Sequence, residues 1–171
     1  MPRTPHFHIL GVPTRVRPIA ALPGLLMAAL IYTLARRLAR ESPAWLLALT
    51  GALAWYEADL IHVAGHIASS RLIDAPMDYV RWGFFAINGY AQHDVTPQQH
   101  IGRSLGGPVA SGLAAIGYWL AWRMFGRTLL GKVALIACIQ NTVTALGSLA
   151  PLSIIDGGVI YANLRQLTRD A

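Results

Sequence analysis

Four long stretches of this chain run almost without charge, and that pattern restricts its fold more than any other feature. Pro18 to Ala35 holds 18 uncharged residues between Arg17 and Arg36. Ser104 to Trp122 holds 19 between Arg103 and Arg123, and Val133 to Ile155 holds 23 between Lys132 and Asp156. A further stretch opens at Pro43 and runs to Arg71 with Glu57 and Asp59 as its only formal charges. About 20 apolar residues are needed to cross the hydrocarbon core of a bilayer. The chain has 171 residues, 54% hydrophobic and only 13% charged. A fold this small cannot hide so much apolar surface from water. The expectation is an all-α integral membrane protein with about four transmembrane helices, which excludes a soluble enzyme.

Charge placement supports the same reading. The net charge is +6, and thirteen of the fourteen basic residues are arginine. They cluster at the ends of the apolar runs, where membrane proteins keep headgroup anchors, so nucleic acid is not the expected partner. The first run ends in Arg36, Arg37 and Arg40 rather than a small-residue cleavage site, so it reads as a retained helix and not a signal peptide. With four crossings, the N-terminus, the middle loop and the C-terminus share a side that carries eight basic residues against six. The positive-inside rule then places the middle loop in the cytoplasm. The expected location is a prokaryotic inner membrane, as a multi-pass protein. The lone cysteine, Cys138, has no partner for an intrachain disulfide.

Ionisable groups inside a membrane segment are expensive and mark functional sites. The second run contains Glu57, Asp59, His62 and His66. Residues four apart on a helix lie one turn apart on one face, so His62 and His66 can offer two imidazole nitrogens to one metal. Asp59 joins that stripe as a partner able to fix an imidazole tautomer, and Glu57 points elsewhere. Histidines satisfied by hydrogen bonds in a core are the alternative. The fourth run breaks at Pro151 and ends in Asp156-Gly157-Gly158, where the carboxylate can turn back into the bundle as a third ligand or mark a surface turn. Two histidines and an aspartate leave a fourth position for water, the open geometry of catalytic zinc.

These residues resemble the site-2 protease family of intramembrane zinc metalloproteases, over Trp55 to Leu164. His62-Val63-Ala64-Gly65-His66 is similar to that family's HExxH, Gly106-Gly107-Pro108 to its Gly-Pro, and Pro151 with Asp156-Gly157 to its Asp-Gly motif. The resemblance implies a three-helix core over residues 43–164, behind an N-terminal tail and extra helix at 1–42 and ahead of a tail at 165–171, all in one membrane domain. It implies zinc on His62, His66 and Asp156, with Gly107, Pro108, Pro151 and Gly157 in support. It does not carry the general base, because Val63 stands where the family has glutamate. Ser111 and Ser148 replace asparagines common near the metal. The middle loop, with Gln92, His93, Asp94, Gln98, Gln99 and His100, corresponds to membrane-associated strands that pair with an extended substrate; either histidine there is a further candidate ligand.

The expected function is therefore that of an impaired pseudoprotease that binds a transmembrane partner or serves as an accessory subunit of a membrane complex. An active intramembrane zinc protease is the alternative, and a haem- or pigment-binding subunit a second one.

Overall fold

The computed structural model describes residues 6–91 and 94–169. Five helices carry the architecture: α1 (Ala21–Leu38), α2 (Ala44–Leu72), α3 (Pro97–Phe125), α4 (Leu129–Ser148) and α5 (Asp156–Leu167). Four short strands accompany them: β1 (His6–Ile9), β2 (Val12–Val16), β3 (Tyr79–Trp82) and β4 (Ala86–Gly89).

Local chemistry sets the helix ends. A 3-10 turn at Pro18–Ala20 leads into α1, whose last turn carries Arg36 and Arg37 against the negative end of the helix dipole. Pro43 holds extended backbone just before α2. Thr96 and Gln99 form a reciprocal capping box on α3, with Pro97 in the first turn. Gly126, at φ 52°, ends α3 in backbone that side chains disfavour, and the Thr128 side chain then caps α4.

Two helical segments, Pro18–Leu38 and Leu129–Ser148, are long and apolar enough to cross a membrane. The 29-residue α2 and α3 have the length but carry more polar groups. On the outer surfaces of α1, α3 and α4, Leu25, Leu113, Ile116, Val143 and Leu146 are all exposed. Hydrocarbon solvates such a surface and water does not. Only α2 packs against α1, α3 and α4 alike, and α3 also carries α5.

Two expectations need correction. The fold is not all-α, because the strands form one sheet in the order β1-β2-β3-β4. β1 and β2 form a hairpin turned by Leu10 and Gly11, both at positive φ, and β2 then pairs in parallel with β3. Residues 6–16 are therefore part of the sheet and not a tail. The apolar run from Val133 to Ile155 breaks around Pro151, as expected: α4 stops at Ser148, a turn containing Pro151 follows, and α5 begins at Asp156.

One face of the sheet is buried on α2. Burial alternates along β2 and β3, as expected of half-buried strands. Ile9, Val12, Val80 and Trp82 close on Val63 and Ile67 of α2, together with Ala20 and Met77. Arg71 at the end of α2 donates to the Leu10 carbonyl at 2.5 Å, which fastens the hairpin turn to that helix.

Candidate metal centre

Three side chains from two distant parts of the chain converge between α2 and α5. His62 Nε2 lies 3.0 Å from His66 Nε2 and 3.1 Å from Asp156 Oδ2, and His66 Nε2 lies 3.3 Å from the same carboxylate oxygen. Metal–ligand bonds of about 2.0–2.1 Å in tetrahedral geometry place ligand atoms roughly 3.3 Å apart. The observed triangle has that size.

The donor set also has the right chemistry. His66 Nδ1 meets the Arg103 carbonyl at 2.7 Å, an acceptor only, so Nδ1 carries the proton and the Nε2 lone pair faces His62 and Asp156. His62 Nδ1 meets Ser111 Oγ at 3.2 Å. Three electron-rich atoms thus sit within 3.3 Å of each other, with at most one imidazole proton among them. A divalent cation resolves that repulsion. The residues present fit zinc. Haem fits poorly, since two axial nitrogens need about 4 Å and a clear plane between them, whereas here the nitrogens are 3.0 Å apart with a carboxylate alongside.

Glycines make the close approach possible. A Cβ on Gly107 would collide with both imidazole rings, and one on Gly65 would collide with the Gly106 carbonyl and Ala110 across the α2–α3 contact. Pro108 has no N–H to offer Ser104, which frees a carbonyl in the turn of α3 beside His66. Gly157 lies against the carbonyls of Leu149 and Ala150, where a side chain would hold α5 away from the end of α4. Asp156 starts α5, so its carboxylate also sits at the positive end of a helix dipole.

The other sequence candidates fall elsewhere. Asp59 shares the helix but not the site: both imidazole Nδ1 atoms are taken by Ser111 and the Arg103 carbonyl. Its Oδ2 is buried without a hydrogen-bond partner among the described residues, and its neighbour is the Trp82 side chain. Ser148 Oγ bonds back to the Ala145 carbonyl within α4. His100 and Asp94 are not in the cluster of possible ligands, and Gln92 and His93 lie outside the described residues. Glu57 accepts from the Tyr118 hydroxyl at 3.0 Å and from Asn141 Nδ2 at 2.9 Å, tying α2 to α3 and α4.

Sequence reasoning missed Arg103 and Tyr90. Arg103 is 3% exposed; its Nε donates to the Ala75 carbonyl at 2.8 Å, and its guanidinium lies 4.2 Å over the Tyr90 ring. Burial pushes the Tyr90 hydroxyl up to about 12, so it remains a protonated donor at neutral pH. Arg103 therefore links the backbone behind His66 to the end of β4. In the sequence Arg103 reads as the charged boundary of an apolar run, which gave no sign of its burial.

No protein-family model and no curated protein matches this sequence. Among solved structures, the chain is similar to the site-2 protease from Methanocaldococcus jannaschii, with a TM-score of 0.64 over 94% of this chain and 71% of that one. The fold is site-2-protease-like. Sequence identity is 17%, so the likeness speaks for the fold and leaves the chemistry to the residues present. Within that fold, Val63 is 1% exposed and lies in the apolar cluster between α2 and the sheet. Among the described residues, the candidate centre has no carboxylate besides Asp156.

Proposed function

We propose that this protein is a multi-pass, site-2-protease-like membrane protein that keeps its metal-binding centre but has lost peptide hydrolysis. It serves by binding a transmembrane partner or as an accessory subunit of a membrane complex. One observation carries the reading: the residue after the first histidine is a valine packed under the sheet. Hydrolysis needs a group that takes a proton from water and returns it to the leaving amine, and a hydrocarbon side chain does neither.

Zinc on His62, His66 and Asp156 would supply Lewis-acid activation of water or of a carbonyl. The chain's own residues do the rest. Ser111 and the Arg103 carbonyl orient the imidazoles, and Gly107 leaves room for them. Losing a general base typically costs about 10²–10⁴-fold in rate, which turns a protease into a binding protein with a structural ion.

The test is cleavage of a model transmembrane substrate by the purified protein, with metal content measured on the same sample. The expected result is about one zinc per chain and no cleavage above that of His66→Ala. Cleavage that disappears in His66→Ala would establish the active-protease reading instead.

A further inference from the structure

The sheet has a second face, and its charges are unbalanced. Arg15 on β2 and Arg81 on β3 are register partners in the parallel pair, so their side chains leave the sheet side by side. Both are exposed, while the flanking Thr14, Val80 and Trp82 are buried against the helices. Like charges directly opposite each other on a sheet repel. Among the described residues, neither arginine forms an ion pair with a carboxylate. The Arg81 guanidinium lies 4.9 Å over the Tyr79 ring, and Ile87, paired with Arg81 on β4, is 62% exposed. Two unneutralised guanidinium groups beside an aromatic ring and an exposed aliphatic side chain call for a partner that is anionic and greasy together.

Position along the chain narrows the partner to lipid. Arg15 stands two residues before Arg17, after which the apolar run into α1 begins. At about 3.3 Å per strand residue, Arg15 lies roughly 7 Å from that boundary. The headgroup layer on each side of a bilayer is of similar depth, about 5–8 Å. Arg71, at the end of α2, holds the hairpin turn at the same end of the bundle.

We infer that the outer face of the sheet, through Arg15 and Arg81 with Tyr79 and Ile87, binds the phosphate headgroups of anionic phospholipids and seats the sheet at the membrane surface. Guanidinium groups chelate phosphate oxygens through paired N–H donors, and two of them on adjacent strands span one headgroup or two neighbouring ones. The inference goes beyond the metal centre and stands or falls separately from it.

The test uses the full chain purified in mild detergent and titrated with phosphatidylglycerol or phosphatidylcholine, with bound lipid counted by native mass spectrometry. Wild type should retain phosphatidylglycerol preferentially. Removing both charges in Arg15→Gln/Arg81→Gln should weaken that binding about 25-fold, roughly fivefold for each arginine near a lipid surface. Arg15→Lys/Arg81→Lys should keep most of it. Gly112→Ala on α3, which has open space at its Cβ and alters no charge, should leave it unchanged. Equal retention of both lipids by wild type, or an undiminished preference in the glutamine variant, would overturn the inference. Displacement of the lipid by millimolar inorganic phosphate would assign the pair to a soluble anion and overturn it too. Should the glutamine variant fail to fold, the wild-type lipid comparison and the phosphate competition still decide. Zinc content of each sample separates loss of this face from loss of the metal centre.

Discussion

His66 on α2 donates its Nδ1 proton to the carbonyl of Arg103 on α3, at 2.7 Å and fully out of solvent. That bond fixes which nitrogen of His66 can face a metal, and it comes from the backbone of a neighbouring helix. The α2–α3 contact is therefore part of the candidate centre as much as the three ligands are. Its dependence on glycine leads to the first prediction.

Gly107→Ala places a methyl group against both imidazoles. Zinc affinity should fall by at least about tenfold, a loss expected when ligand orientation is disturbed, while helical content by circular dichroism stays the same. Gly112 and Gly117 on the same helix have open space at the Cβ position. Alanine at either should leave zinc binding intact and raise stability by about 0.5–1 kcal/mol, the helix-interior preference for alanine over glycine.

Ser111→Ala removes the group that meets His62 Nδ1. Hydrogen-bond partners behind a metal ligand typically carry about 10–100-fold of affinity, so zinc titration should show a loss in that range. Ser148→Ala should show none, because Ser148 bonds only within its own helix. Equal effects at the two serines would mean that Ser111 does not orient the ligand.

Val63→Ala removes two methyl groups from the cluster beneath the sheet. At about 0.8 kcal/mol per buried methylene plus a cavity term, the expected cost is roughly 2 kcal/mol in a thermal melt in detergent. Val63→Glu should cost more, because it buries a carboxylate among apolar side chains without a partner. A glutamate at this position would meet the apolar packing around Ile9, Val12 and Val80.

Asn141→Leu leaves one oxygen of Glu57 without its donor in the middle of the bundle. A side-chain hydrogen bond of this kind contributes about 1–3 kcal/mol, and Tyr118 still donates to the other oxygen, so a loss in that range is expected. Zinc stoichiometry of the folded fraction should not change. A variant that melts like wild type would show that the Asn141–Glu57 hydrogen bond does not hold α2 to α4.

Local periodicity made part of this molecule legible. Helical spacing alone puts His62 and His66 on one face, and α2 runs over Ala44–Leu72 where the segment from Pro43 to Arg71 was expected. Charge-free length located α1, and the Gly-Pro pair marked the close contact on α3. These features repeat within a turn or two of the residue concerned, so composition and spacing suffice to find them.

The remainder depended on contacts between residues far apart in the chain. β2 pairs with β3 across more than sixty residues, and both strands are too short to show a pattern of their own. Asp59 lies on the histidine stripe by periodicity, yet the hydrogen-bond partners of the imidazole Nδ1 atoms come from α3. Pro151 marked the break in the last apolar run, but hydropathy alone could not show that Asp156 opens a new helix. A sequence specifies which side chains are apolar, charged or small, since those are properties of single residues. Which acceptor meets His66, and that Val63 lies under a sheet, follow only when separate segments pack, because each is decided by a partner that the local chain does not contain.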